Sequence, residues 1–200
     1  MHRRQQVIVS LVSIVSIESM PKTDAAAARE RWVSAHVELL RLAQHLRADA
    51  AVFRHGAGEL RYFPQTGEQT PVDPDLHVAA DDLRKVLGAI SALAARWDEE
   101  ITWLRSFDRT VPIDDIQRGH AQTREALRLA RAALDVFTAV IANPERLPLD
   151  APYGAGAPRR VHPGAQCTWV AERAETLARE ISTVTLRKHN FLLAVRPPSA

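Results

Sequence analysis

The stretch IDDIQRGHAQTREALRLARAALDVFTAVI, residues 113–141, decides the fold. Apolar or small residues recur along it every three or four positions, and only two polar side chains interrupt the series. Since an α-helix turns once every ~3.6 residues, this spacing puts the series on one face of a helix. The stretch therefore predicts a long helix with one buried face. The series consists of Ile113, Ile116, His120, Thr123, Leu127, Ala130, Leu134, Phe137 and Ile141.

Three further stretches carry the same periodicity. The first is expected to form a helix from about residue 24 to 49, in which Val33, Val37 and Leu40 widen the apolar stripe in the manner of a core helix. The second begins at Asp73, a good capping residue, and continues to about Phe107. The third runs from about residue 164 to 194. The chain is thus expected to contain four long helices.

The short connection at residues 108–112 requires the second and third helices to be antiparallel neighbours. We therefore predict an all-α protein, an up-down four-helix bundle of long helices. A small β-hairpin is expected between the first two helices, because residues 52–55 and 59–63 alternate around a Gly-Ala-Gly turn. A loop rich in Pro and Gly, residues 144–163, separates the last two helices.

The totals are those of an ordinary globular domain. In 200 residues, 46% are apolar and 25% are charged, so residues 21–196 are expected to form one helical domain with a tail at 197–200. Residues 1–20 form an N-terminal extension containing the apolar run VIVSLVSIVSI, which is too short to cross a membrane. Several interpretations stay open for it: a tail, a strand or docking segment, a secretory signal, or a misassigned start before Met20.

Charge and cysteine content exclude some classes of function. The 26 basic and 24 acidic residues leave a net charge of +2, so no large field of one sign is expected. The abundance of Arg and Ala is typical of a GC-rich genome. The one cysteine, Cys167, rules out an intrachain disulfide and a Cys-based metal site, and it is expected to be a small buried residue. A reducing cytoplasm is the expected location.

The chain contains none of the strong catalytic or nucleotide-binding motifs, such as a phosphate-binding loop, a dinucleotide-binding glycine motif, a nucleophile elbow or a zinc-protease motif. This absence favours a protein that is not an enzyme and needs no cofactor. The first functional hypothesis is a helical interaction or scaffold module that binds a protein partner or a second copy of itself.

Polar residues within the helical series suggest a second hypothesis. An up-down arrangement brings His36, Glu100, His120 and Thr123 to the same half of the bundle. Two imidazoles and a carboxylate are suitable ligands for zinc or iron, so His36, Glu100 and His120 are candidate metal ligands. They could equally form a buried hydrogen-bonded network, or lie at the edge of the series and reach solvent.

Basic groups suggest a third hypothesis, a nucleic-acid-associated protein. It requires the basic residues to converge into one patch, whereas a solvated face with local ion pairs is the alternative. Of the tryptophans, Trp32 and Trp97 are expected in the core, while Trp103 lies off its series and is expected to be exposed. The candidate nucleic-acid-binding residues are Arg124, Arg128, Arg131, Arg159, Arg160, Arg187 and Lys188.

Overall fold

The computed structural model describes residues 22–59, 62–63, 68–69, 72–107, 113–142 and 163–194. Helices dominate these residues, which confirms the prediction of an all-α protein. Two strands of two residues each pair antiparallel, with Tyr62 opposite Gln69. The elements in chain order are α1 (Lys22–Glu59), β1 (Tyr62–Phe63), β2 (Glu68–Gln69), α2 (Pro74–Ala94), α3 (Trp97–Phe107), α4 (Asp114–Ala142) and α5 (Pro163–Ala194).

The predicted hairpin is wrong. Its first strand, residues 52–55, lies inside α1, which continues to Glu59 instead of ending near Asp49. Phe53 follows Leu46 and Ala50 at helical spacing, and all three are buried. The Phe53 ring meets the Phe137 ring edge to face, with the centroids 5.1 Å apart. Burial of an aromatic side chain contributes more than a short isolated hairpin can, so the helix continues.

The second predicted helix is interrupted. Asp73 caps α2 as expected, its Oδ1 accepting a hydrogen bond of 2.8 Å from the Asp75 amide. At residues 95–96 the helix gives way to a turn, where the Arg96 amide donates to the Leu93 carbonyl at 3.2 Å. α3 begins directly afterwards at Trp97.

The four long helices pack in a closed cycle: α1 contacts α5, α5 contacts α4, α4 contacts α2, and α2 contacts α1. α1 and α5 are antiparallel, because Arg47 donates to Ser182 and Arg54, seven residues later, donates to Glu175, seven residues earlier. No helix among the described residues is long and apolar enough to cross a membrane. The predicted extension at 1–20, the loop at 144–162 and the tail at 197–200 lie outside the described residues.

The core consists of a main cluster and a smaller one. The main cluster fills the space between the long helices and includes Leu46, Leu134, Leu177 and the buried Cys167, as predicted for that cysteine. The smaller cluster consists of Ile101, Trp103, Leu104, Ile113, Ile116 and Phe191, with Trp32 and Leu192 against it. Trp103 is only 6% exposed, so the prediction that it faces solvent is wrong. The Trp103 ring packs against the Trp32 ring of α1, with the centroids 4.8 Å apart.

The fold disfavours the ionised form of the Asp49 carboxyl group. It is half-buried on α1, and its Oδ2 has no hydrogen-bond partner in the described part of the chain. Burial, followed by the nearby Asp82 charge, raises its pKa from 3.8 to about 6. A carboxylate with a raised pKa lowers the stability of the fold as pH rises through this range, because its ionised form is the disfavoured one.

We expect Asp49→Asn to raise the free energy of unfolding by about 1 kcal/mol at about pH 7, after allowance for solvent screening. The gain should vanish below the unfolded pKa of 3.8, where Asp49 is already protonated in both states. Urea unfolding at both pH values measures the difference. Asp81→Asn, which removes an exposed partner of Arg84, is the matched control and should not stabilise. An equal gain at acidic pH would contradict the assignment to ionisation.

Candidate functional site

Four helices contribute one polar side chain each to a buried cluster. α3 supplies Glu100, α5 supplies Lys188, α1 supplies His36 and α4 supplies His120. The Lys188 ammonium donates to both oxygens of Glu100, at 2.8 Å from Oε1 and 2.9 Å from Oε2. The Nε2 atom of His36 lies 3.8 Å from Oε1, and that of His120 lies 3.6 Å from Oε2. The structure thus brings together His36, Glu100 and His120, as the sequence suggested.

Aromatic rings enclose this cluster. The Trp97 ring stacks on the His120 ring with the centroids 4.4 Å apart and the planes nearly parallel. Trp32 meets His36 edge to face at 5.3 Å. The Lys188 ammonium lies 5.1 Å from the centre of the Trp97 ring and 5.6 Å from that of Trp32. Desolvated cation–π contacts of this kind stabilise an ammonium that has lost its water.

The prediction that Lys188 contributes to a nucleic-acid-binding surface is wrong. Lys188 is 1% exposed and cannot be part of a surface that binds phosphates. The sequence does indicate that Lys188 is buried, since it follows Ile181 and Val184 at helical spacing and precedes Phe191 in the buried series of α5. A cation in such a series needs an anion opposite it, and Glu100 is the one ionisable residue in the series of the predicted second helix.

Burial sets the protonation of the cluster. It lowers the pKa of Lys188, while the adjoining Glu100 raises it. Burial also lowers the pKa of His120 to about 2, helped by the charges of Lys188, Arg124 and His36, so His120 is neutral at physiological pH. The Nε2 atoms of His36 and His120 are too far from Glu100 for hydrogen bonds and have no hydrogen-bond partner among the described residues. The Glu100–Lys188 pair is therefore the main polar contact of the cluster.

The metal hypothesis stays a prediction. Among the described residues, no group of three or more His, Cys, Asp or Glu side chains is arranged to hold a metal ion. The Lys188 ammonium occupies both oxygens of Glu100, so a metal bound there would have to displace it. Thr123 takes no part in the cluster, because its hydroxyl donates to the Gly119 carbonyl of its own helix at 2.8 Å.

The candidate arginines on α4 and α5 have local partners. Arg124 donates to Asp98 at 3.0 Å, and Arg128 forms a bidentate pair with Glu125. Arg131 donates to the Leu87 carbonyl and Arg187 to the Asp115 carbonyl. Arg159 and Arg160 lie outside the described residues. Arg124, Arg128 and Arg131 line one cavity of about 550 Å³, but Asp98 and Asp135 line it too and each of these arginines already has a partner, which does not favour the nucleic-acid hypothesis.

A second candidate site is an apolar surface on α1 and α5. Val33, Val37 and Leu40 are 49%, 62% and 42% exposed, so the prediction that they widen the core stripe is wrong. α1 packs mainly against α5 and α2 among the long helices, and a helix in a corner position buries a narrower stripe. On α5, Leu186 is 60% exposed and Leu193 is 69% exposed. The described part of the chain has seven large exposed apolar residues, and these five are among them.

The register of α1 and α5 places all five on one surface. Arg47 and Arg54 mark the edge of α1 that faces α5, and Leu40 and Val33 continue this line at intervals of seven residues. Ser182 marks the matching edge of α5, and Leu186 lies one turn further along that edge. The antiparallel register puts Leu193 level with the middle of the Val33–Leu40 segment. We call these five residues the α1–α5 face.

Comparison with known proteins found no matching family model, no similar curated protein and no similar solved structure. Function therefore has to be inferred from the residues of this chain alone.

Proposed function

We propose that the protein is a helical interaction module that self-associates, and that a second copy of the chain covers the α1–α5 face. The concentration of five of the seven large exposed apolar side chains on this face supports the proposal. Exposed apolar patches of this kind are typical of interaction sites. The cycle of helix contacts is interpreted as an up-down four-helix bundle, in which α1 and α5 form one outer layer.

The distribution of charge favours a second copy. Apolar residues occupy the end of the face where α1 starts, and Arg47 and Arg54 lie along the other half. In a symmetric dimer, the same patch of each copy meets its equivalent across a two-fold axis. An axis through the apolar end brings apolar side chains together and moves the arginines of the two copies apart. A two-fold dimer thus avoids repulsion between like charges.

The size of the face indicates a weak dimer. Fully burying one Val or Leu side chain contributes about 1.5–3 kcal/mol, so covering five that are about half exposed contributes roughly 5 kcal/mol per copy. Two copies give roughly 10 kcal/mol, against an association cost of about 4–15 kcal/mol. At the lower end of this cost the net gain is roughly 6 kcal/mol, which corresponds to a dissociation constant of roughly tens of µM and hence to a weak dimer.

Sedimentation velocity over a range of concentrations tests this proposal. The full chain should shift from monomer to dimer as concentration rises. Leu186→Glu should leave it monomeric throughout, because each change acts twice across a two-fold axis and weakens the dimer by about 100-fold or more. Val37→Glu should do the same from the α1 side.

Val78→Glu is the matched control. Val78 on α2 has the same 60% exposure as Leu186 but lies away from the α1–α5 face, so this change should leave the equilibrium intact. Dimers unaffected by Leu186→Glu and Val37→Glu would overturn the proposal. So would a monomer at every concentration in which these two changes reduce stability while Val78→Glu does not. That result would mean that another segment of the same chain covers the face.

A further inference from the structure

A cavity of about 340 Å³ opens between α3 and α4. This volume is at the lower end for small-molecule sites, so it suits a ligand of a few heavy atoms. None of the residues that line the cavity lies on α1 or α5. It is therefore separate from the α1–α5 face. The lining residues are Asp98, Ile101, Thr102, Arg105, Gln117, His120 and Arg124.

The lining carries more positive than negative charge. Arg105 extends from the last turn of α3, and among the described residues it forms no ion pair. Its Nη2 donates to the Gln117 carbonyl oxygen at 3.3 Å, which leaves the Gln117 amide group as a further donor. Arg124 pairs with Asp98 at 3.0 Å, but the Asp98 side chain is 81% exposed and well solvated. Two guanidinium groups thus share one carboxylate.

The inner wall of the cavity is a buried imidazole ring. His120 forms part of that wall and is 2% exposed. Burial, followed by the charges of Lys188, Arg124 and His36, holds its pKa near 2, so the ring is neutral. The positive charge of the lining therefore comes from the guanidinium groups of Arg105 and Arg124.

We infer that this cavity binds a small oxyanion, a carboxylate or a phosphate group, held by the guanidinium groups of Arg105 and Arg124 and by the Gln117 amide. Guanidinium presents paired N–H groups that match two oxygens of either anion. Thr102 does not supply a donor, because its hydroxyl already donates to the Asp98 carbonyl at 3.0 Å. Ile101 and the His120 ring offer apolar surface to the remainder of the ligand.

Titration of the full chain with sodium acetate and with sodium phosphate, followed by ¹H–¹⁵N NMR, tests the inference. Sodium chloride at equal ionic strength is the reference. Saturable shifts confined to residues 98–105 and 117–124 are expected. Arg105→Gln should weaken binding by about 10-fold or more, as expected for the loss of a charged hydrogen bond. Saturation by acetate or by phosphate alone would support the inference and identify the anion.

Arg118→Gln is the matched control. Arg118 lies on the same helix as Gln117, its side chain is 65% exposed, it pairs with Asp115, and it does not line the cavity. Its replacement should change the affinity by less than a factor of about 2, since an exposed charge contributes little at this distance. The inference is overturned if acetate and phosphate shift no more resonances than chloride does, or if Arg105→Gln and Arg118→Gln weaken binding equally. Neither result bears on self-association, which is measured separately.

Discussion

Lys188→Met is expected to lower the free energy of unfolding by about 3–5 kcal/mol, the usual cost of removing one partner of a buried ion pair. The Glu100 carboxylate is 12% exposed and would lose its only strong donor among the described residues. The Trp97 and Trp32 rings cannot replace that donor, since their faces attract cations and not anions. Urea unfolding followed by tryptophan fluorescence measures the loss.

Two further variants serve as controls for Lys188→Met. Glu100→Leu combined with Lys188→Met should recover most of the stability, because an apolar pair leaves no uncompensated charge. Arg54→Met breaks an exposed pair with Glu175 and should cost no more than about 1 kcal/mol. If Lys188→Met costs as little as Arg54→Met, the cluster is open to water and the ion pair does not hold the four helices in register. Loss of the Lys188 charge should also raise the pKa of His120, which NMR can follow.

Gly119→Leu is expected to cost about 2–3 kcal/mol. A Cβ atom at Gly119 would lie 2.8 Å from Cγ2 and 3.2 Å from Cβ of Val184, which is fully buried on α5. Val184 is β-branched and has little rotamer freedom, so it cannot move aside cheaply. Replacing glycine within a helix gains up to about 1 kcal/mol, but overpacking a core costs about 1–3 kcal/mol and more for a larger side chain.

Gly88 provides the opposite case. It lies exposed on α2 with no heavy atom within 4 Å of a built Cβ, so Gly88→Leu gains the helix propensity without a clash. A stabilisation of up to about 1 kcal/mol is expected there. Thermal unfolding of the two variants should therefore shift in opposite directions. Stabilisation by both changes would contradict the close approach of α4 and α5 beside His120.

The helices could be predicted because the residue pattern that specifies each helix lies within that helix and its ends. Apolar residues at spacings of three and four, the Asp73 cap and the short 108–112 connection identify the long helices without any knowledge of their neighbours. The convergence of His36, Glu100 and His120 followed from helix length and order. Their partner Lys188 was missed because a cation near the end of a helix also suits the helix dipole, and this favoured a surface position.

What the sequence by itself determined is the set of apolar faces and the end of the molecule where the polar residues meet. Only the tertiary structure decided which faces are covered. Val33, Val37 and Leu40 have the pattern of core residues, yet α1 occupies a corner of the packing and leaves them exposed. Lysine is a residue type that usually lies on the surface, yet Glu100 and two indole rings enclose Lys188. Periodicity records the direction of a side chain on its own helix, whereas burial depends on which neighbouring helix lies opposite, and residues distant in sequence set that neighbour.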